Sequence, residues 1–237
     1  MEIRATIAKV DRYSSLEHGD KVEVIERPNG GLSFILAEGK LNGRHSKAIT
    51  MKAVHKMLNL ISEGVHDGAA SRAVLSGINN EHMGKAEVLL SVLSLDLESQ
   101  TIVLTKNNNI PVYLIRNGFV EVLQIAAEDD RDLPLDPIIY QFQLENETGF
   151  VLVSDGVFQA GKNSSERVEI HTIIQDQLDD RDPTVSEMAN LLLNQAISLD
   201  VGKPRDDMTV IVLRIAPAQR KGIRKVSIHF PIQFDKN

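Results

Sequence analysis

The stretch FVLVSDGVFQAG, residues 150–161, joins an apolar run to a carboxylate and a glycine. Its first four residues predict a strand that is buried on both faces. Ser154-Asp155-Gly156 then ends the strand, and Asp-Gly is by itself a common turn dipeptide. Taken alone, the stretch favours an ordinary turn. A functional interpretation of Asp155 therefore depends on what the rest of the chain places beside it.

The order of predicted elements gives the fold class. Short strands come first, followed by two helices, many strands, two further helices and a last strand. The predicted helices cover residues 46–61, 69–78, 165–178 and 185–199. Thr184 and Glu187 form a capping-box pattern before the last of them. This order lacks strict βαβ alternation, and it predicts an α+β fold with two packed, mostly antiparallel sheets and a helical layer outside each.

Composition excludes several classes of function. The 237 residues include no cysteine, which rules out disulfides, zinc–thiolate sites and thiol catalysis. The net charge of −7 argues against nucleic acid as the main partner. The N-terminus lacks signal-peptide features, and no apolar run reaches the roughly 20 residues that span a bilayer. These features predict a cytoplasmic protein that binds neither nucleic acid nor membranes.

Acidic residues recur next to the predicted strands. Asp20 precedes one strand, Glu38 follows another, Asp155 ends the strand quoted above, and Asp206-Asp207 open the last one. Carboxylate and carbonyl oxygens are the ligands that Mg²⁺ and Mn²⁺ prefer, and clustered carboxylates repel one another unless a cation lies among them. Spacing in the sequence leaves a shared metal site and separate surface carboxylates equally open.

Three segments together carry a resemblance to a known family. FVLVSDGVFQAG, DDMTVIVLR and the pair GDKVEV and LSFILAEG resemble the metal-dependent, type-2C serine/threonine protein phosphatases. Within this family the chain is most similar to the bacterial branch typified by the stage II sporulation protein E phosphatase domain. The resemblance covers the chain up to about Ile215. It implies an αββα four-layer sandwich, in agreement with the predicted order of elements.

The resemblance also implies a site with two Mn²⁺ or Mg²⁺ ions. By position, the implied metal ligands are Asp20, Glu38, the Gly39 carbonyl, Asp155 and Asp206. Asp207 and Gly156 are implied to support these ligands. In such a site the ions activate a water molecule for attack on a phosphoester. The seven histidines lack metal-binding spacing, and we interpret them as structural or surface residues.

The sequence departs from the family pattern at three places. Glu38 stands where the family carries aspartate, which leaves the activity uncertain. A glycine- and histidine-rich loop is replaced by KLNGRHSKA, and Asn108-Asn109 replace a Gly-His pair. Arg12, His18 and Lys21 are candidate phosphate contacts near Asp20.

Two functions from different classes remain open. The first is a bacterial signalling phosphatase that acts on a phosphoserine or phosphothreonine protein, with an anti-sigma antagonist-type protein as the expected partner. The second is a catalytically weak or inactive module with the same fold that binds a regulatory protein.

The chain is expected to comprise two parts. Residues 1–217 form the phosphatase-like αββα domain, and residues 218–237 form a C-terminal arm. The segment KVSIHFPIQF of the arm has an apolar face that predicts an additional edge strand, docked on the domain or on a second subunit. A homodimer formed through this arm is therefore a hypothesis.

Overall fold

The described residues form eleven strands and five helices. The computed structural model describes residues 1–13, 19–124, 135–162, 167–218, 222 and 224–229. The strands are β1 (Glu2–Val10), β2 (Asp20–Glu26), β3 (Gly31–Leu41), β4 (Arg44–His45), β5 (Ala86–Asp96), β6 (Thr101–Lys106), β7 (Val112–Arg116), β8 (Phe119–Leu123), β9 (Ile138–Gln143), β10 (Gly149–Val153) and β11 (Met208–Ala216). The helices are α1 (Lys47–Ser62), α2 (Asp67–Glu81), α3 (Asp155–Phe158), α4 (Ile170–Asp180) and α5 (Val185–Leu199).

The strands form two antiparallel sheets. The first sheet has the order β1-β11-β10-β7-β8. The second has the order β2-β3-β5-β6-β9, with β4 paired to β3. Helices α1 and α2 pack against the second sheet, and α4 and α5 pack against the first. The predicted α+β class, with two sheets between helix pairs, is confirmed.

Three apolar cores separate the four layers. One core lies between the first sheet and helices α4 and α5, and another lies between the second sheet and helices α1 and α2. The third core lies between the two sheets. Strands β10 and β11 contribute alternate residues to two cores, which explains why both read as continuous apolar runs.

The same alternation points β3 toward the candidate site. Ile35 and Ala37 face helices α1 and α2, whereas Phe34 and Leu36 face the other sheet. Because side chains on a strand alternate between its faces, Glu38 follows Leu36 on the inner face. The inter-sheet core therefore ends in a carboxylate.

Several predicted boundaries are wrong in detail. Glu38 lies inside β3 rather than after it, because the strand continues through the hairpin to β4. The helix expected over residues 165–178 begins at Ile170. The short helix α3 was not predicted; Asp155 is its first residue. The capping box of Thr184 and Glu187 is present as expected.

The described part of the C-terminal arm contacts the second sheet through Arg224. Residues 224–229 form no strand, and the remainder of the predicted edge strand lies outside the described residues. Arg224 Nη1 lies 2.9 Å from Glu26 Oε2 on β2, while Val226 and Ile228 are exposed. Among the described residues, no helix combines the length and apolarity needed to cross a membrane.

Candidate metal centre

Three of the predicted acidic residues meet between the two sheets. Asp20, Glu38 and Asp155 each offer a carboxylate oxygen, and these oxygens all lie within 4.8 Å of one another. All three residues are buried, with 4–6 % of their surface exposed. The three carboxylates are called the acidic cluster below. Residues 135 positions apart in the chain are thus brought together at one end of the inter-sheet core.

Strand register explains this convergence. Asp20 and Glu38 are directly opposite each other in the β2–β3 pair, so their side chains share the inner face of the second sheet. Asp155 comes from the first sheet, at the point where β10 ends and α3 begins. The two sheets therefore supply the cluster from opposite sides.

Asp207 fixes the backbone that carries Asp20. Its Oδ2 accepts hydrogen bonds from the backbone N–H groups of Gly19, at 2.6 Å, and Asp20, at 3.1 Å. Its Oδ1 accepts from the N–H of Arg12 at 3.0 Å. The carboxylate of Asp207 thus binds backbone N–H groups on both sides of residues 14–18, at Arg12, Gly19 and Asp20.

Gly156 permits a close approach of α3 to the start of β11. A Cβ atom at this position would lie 2.1 Å from the carbonyl oxygen of Asp207 and 3.2 Å from Cβ of Asp206. No side chain fits there unless the backbone shifts. The glycine after Asp155 is therefore explained by packing against the Asp206-Asp207 segment.

Thr50 on α1 ties together the segments that hold Asp20 and Glu38. Its Oγ1 lies 2.9 Å from the Gly19 carbonyl oxygen and accepts from the Gly39 N–H at 2.8 Å. Gly39 is packed against α1 so closely that a Cβ would lie 2.5 Å from the Thr50 nitrogen. The Gly39 carbonyl, a predicted metal ligand, accepts a hydrogen bond from the Ser46 N–H.

Two residues of the first sheet orient the Asp20 carboxylate. Thr209 Oγ1 donates a 2.8 Å hydrogen bond to Asp20 Oδ2. Ser154 Oγ in turn accepts from the Thr209 N–H at 3.0 Å. Asp20 is therefore held from both sheets.

Two basic side chains face the acidic cluster. Lys40 Nζ lies 3.2 Å from Glu38 Oε1 and 3.6 Å from Asp155 Oδ2. His45 Nδ1 lies 2.7 Å from Glu38 Oε1, and its Nε2 lies 3.4 Å from Asp206 Oδ2. His45 therefore links Glu38 to Asp206. This contact was not predicted, because the histidines were interpreted as structural or surface residues.

The three carboxyl groups of the acidic cluster do not carry negative charge equally. Burial, with the nearby charge of Glu38, raises the pKa of Asp20 to about 7 and that of Asp155 to about 8. Burial would also raise the pKa of Glu38, but His45 and Lys40 outweigh it and lower that pKa. The hydrogen bond to Glu38 raises the pKa of His45. Negative charge is thus concentrated on Glu38.

Asp206 lies at the rim of the site. It is not one of the three clustered carboxylates among the described residues, and its side chain is 30 % exposed. Its Oδ1 accepts a 2.9 Å hydrogen bond from the Asp207 N–H. His45 connects Asp206 to Glu38 of the cluster.

The candidate phosphate contacts have different surroundings. Lys21 Nζ pairs with Glu23 at 2.8 Å. Arg12 reaches the site through its backbone N–H, as described above, and His18 lies outside the described residues. Asn108, at one of the departures from the family pattern, lines the cleft beside the acidic cluster and donates to Ser91 Oγ.

The residues present fit a divalent cation. Asp155 Oδ1 is buried and has no hydrogen-bond partner among the described residues. Asp20, Glu38 and Asp155 offer only oxygen atoms, as Mg²⁺ and Mn²⁺ prefer. A cation among them would offset the burial and the mutual repulsion that raise the pKa values of Asp20 and Asp155.

The turn dipeptide Asn42-Gly43 indicates two residues of the site, Lys40 and His45, that were not predicted. Asn42 and Gly43 both have positive φ, of 51° and 73°, as a tight hairpin turn requires. This turn places His45 opposite Lys40 in the β3–β4 pair. Lys40 is two residues from Glu38 on the same strand, so its side chain lies on the same face. Lys40 and His45 could therefore have been assigned to the site from the Asn42-Gly43 turn and the alternation of side chains along the strand.

Comparisons with known proteins agree with this geometry. The sequence model of the stage II sporulation protein E (SpoIIE) family matches residues 29–216. Stage II sporulation protein E of Priestia megaterium is 24% identical over 216 residues, which cover 88% of this chain and 36% of that protein. The chain thus spans about a third of the length of this curated relative.

Solved structures share the fold. The PP2C phosphatase domain of SpoIIE from Bacillus subtilis, solved with a fragment of its regulatory domain, superimposes with a TM-score of 0.73 at 20% identity, covering 91% of this chain and 63% of that chain. The catalytic domain of the serine/threonine protein phosphatase PstP, in complex with two manganese ions, superimposes with a TM-score of 0.64 at 15% identity, covering 91% and 99%. The chain shares the fold of the PP2C phosphatase domain, and since the family model matches most of its length, it belongs to the stage II sporulation protein E family.

Proposed function

We propose that this chain is a Mn²⁺- or Mg²⁺-dependent phosphatase of phosphoserine and phosphothreonine proteins. The observation that carries the proposal is the convergence of Asp20, Glu38 and Asp155 in a buried cluster with oxygens within 4.8 Å. Membership of the SpoIIE family and the manganese-bound PstP structure support the same chemistry. A divalent cation, when bound, supplies an activated water molecule and polarises the phosphoester.

The protein residues have separate tasks in this proposal. Asp20, Glu38 and Asp155 would hold the cation in a buried position between the two sheets. Asp207, Thr50 and Thr209 hold the ligand-bearing segments in place through the hydrogen bonds described above. Asp206 and the Gly39 carbonyl are proposed as additional ligands, and two ions are expected.

Hydrolysis of p-nitrophenyl phosphate tests the proposal. The wild type should show a rate that depends on Mn²⁺ and disappears with EDTA. Asp155→Asn should lower this rate by at least about a hundredfold, since a single well-placed cation contributes several kcal/mol to such reactions. Asp176→Asn, an exposed change on α4, serves as the matched control and should leave the rate unchanged. A wild type without any metal-dependent rate would refute the proposal.

A second function has one observation in its favour. Lys40 and His45 already contact Glu38, so the site carries positive charge without an added ion. A catalytically weak or inactive module that binds a regulatory protein through this face is the alternative. It predicts partner binding that is insensitive to Mn²⁺ and to Asp155→Asn.

The partner and the setting of the reaction are also proposals. By analogy with the sporulation branch, we propose an anti-sigma antagonist-type phosphoprotein as the substrate, in the cytoplasm, and a homodimer formed through residues 218–237. Release of phosphate from a phosphoserine protein of this class tests the first point. Sedimentation of the chain with and without residues 218–237 tests the last.

A further inference from the structure

Lys40 occupies an unusual position for a lysine. It lies on the inner face of β3 beside the acidic cluster, and only 23% of its side chain is exposed. We propose that Lys40 is a built-in counter-charge that competes with the divalent cation for Glu38 and Asp155 and thereby sets the metal affinity of the site. This inference rests on the proposed function, because it concerns the same cation.

The backbone holds Lys40 in this place. Lys40 lies opposite His45 on β4 and opposite Glu87 on β5, so β3 is paired on both sides at this residue. Strand alternation gives Lys40 the same face as Glu38. The ammonium group is therefore directed at the cluster by the sheet itself, and contacts carboxylates from both sheets, Glu38 on β3 and Asp155 at the end of β10.

Electrostatics make the ammonium group and the cation competitors. A cation held by Glu38 and Asp155 would lie close to Lys40 Nζ, which is 3.2 Å and 3.6 Å from oxygens of these two residues, and like charges repel in a partly buried site. The ammonium group must move away or remain beside the ion, and both weaken binding. Without the cation, the same group stabilises the buried negative charge of Glu38 and lies beside Asp155. Lys40 thus favours the metal-free state.

The experiment compares metal affinity directly. Mn²⁺ binding is measured by isothermal titration calorimetry and by loss of the free-ion electron paramagnetic resonance signal. Lys40→Met, which keeps the length of the side chain and removes its charge, should bind Mn²⁺ about tenfold more tightly than the wild type. Lys40→Gln should show the same direction if the methionine variant fails to fold. Lys40→Arg keeps the charge and should bind like the wild type.

A matched control separates local from overall charge. Lys52→Met removes one positive charge from the outer surface of α1, where Lys52 pairs with Glu81, and should leave the affinity unchanged. A second readout needs no metal. In EDTA, Lys40→Met should melt at a lower temperature than the wild type, and in saturating Mn²⁺ the difference should shrink or reverse.

The outcomes distinguish this inference from the proposed function. Equal Mn²⁺ affinities of wild type and Lys40→Met would overturn the inference, whatever the phosphatase assay gives. Mn²⁺ binding by Lys40→Met alone, with an inactive wild type, would support the inference and overturn the proposed function. Binding by neither protein would overturn both.

Discussion

At the scale of single residues, the site is defined by carboxylates that differ in charge although they lie together. Glu38 Oε1 lies within 3.2 Å of nitrogen atoms of Lys40 and His45, whereas Asp20 and Asp155 have raised pKa values. This asymmetry follows from position. Lys40 and His45 lie on the same β3–β4 hairpin as Glu38, whereas the hydrogen bonds to the Asp20 carboxylate come from the neutral hydroxyl groups of Thr209 and Ser154.

Stability of the metal-free protein should depend on pH through Asp155. Its pKa is raised from 3.8 to about 8, so the folded state keeps a proton that the unfolded state releases. The stabilisation is complete at pH values below the ordinary pKa and is lost as the pH rises toward 8. In EDTA, the free energy of unfolding should therefore fall between pH 5 and 8, by up to about 1.4 kcal/mol per pH unit from this group.

Urea unfolding of the wild type and of Asp155→Asn at several pH values checks this pH dependence of the free energy of unfolding. The slope with pH should be smaller in the variant, since the asparagine carries no titrating proton. Parallel slopes for the two proteins would contradict the pKa assignment. Mn²⁺ should bind more tightly at pH 8 than at pH 6, because the cation displaces the proton.

At the scale of elements, the site depends on contacts between segments that are distant in the sequence. α1 reaches the ends of β2 and β3 through Thr50, and α3 touches the start of β11 at Gly156. These contacts use small or short side chains because two backbones approach each other closely. Their substitution should therefore affect the metal site even though none of them is an acidic ligand.

Thr50→Val tests the link between α1 and the acidic cluster. The valine keeps the shape of the side chain and leaves the buried Gly39 N–H without its acceptor, which should cost about 1–3 kcal/mol of stability. Mn²⁺ affinity should fall as well, because Gly19 and Gly39 flank two of the ligands. Thr50→Ser retains the hydroxyl and should preserve the affinity; an equal loss in both variants would argue for packing rather than hydrogen bonding.

Gly156→Ala tests the approach of α3 to β11. The new Cβ would clash with the Asp207 carbonyl, so the segment must shift at a cost of about 1–3 kcal/mol, with loss of Mn²⁺ affinity. Gly77→Ala in α2 is the matched control. Its Cβ meets nothing closer than Lys56 Nζ at 3.6 Å, and it should stabilise the protein by about 0.4–1 kcal/mol. Thermal melting of both variants decides whether the contact at Gly156 is required.

The sequence predicted the individual strands and helices better than the contacts between them. The apolar runs of β10 and β11 and the capping box at Thr184 are local signals, and the structure confirms them. The approach of His45 to Glu38 depends on the short β3–β4 hairpin. The turn dipeptide Asn42-Gly43 marks this hairpin in the sequence, but His45 was not predicted as a site residue. Contacts such as Thr50 with Gly19 depend on tertiary packing of α1, which leaves no periodic signal in the chain.

At the scale of the whole molecule, the acidic cluster requires both sheets, because each sheet supplies part of it. The second sheet supplies Asp20 and Glu38, the first supplies Asp155, and the inter-sheet core holds them at a fixed distance. The sequence predicted the four layers from the order of elements, but it could not place Asp206. The position of Asp206 depends on the turn between α5 and β11, where its neighbour Asp207 points to the Gly19 loop.

Mn²⁺ should stabilise the folded protein as a whole. An ion that binds only the folded state raises the free energy of unfolding by about 2.7 kcal/mol at a hundred times its dissociation constant. The melting temperature should therefore rise with Mn²⁺ concentration in the wild type and stay constant in Asp155→Asn. A melting temperature that responds equally in both proteins would place the ion elsewhere.

The position of the cation is the most direct test of the central claim. Crystals grown or soaked with Mn²⁺ should show an anomalous difference peak, measured near the manganese edge, within bonding distance of Asp20, Glu38 and Asp155, at about 2.0–2.4 Å from their oxygens. An anomalous peak at another site, or a cluster that stays protonated and metal-free in millimolar Mn²⁺, would contradict the account.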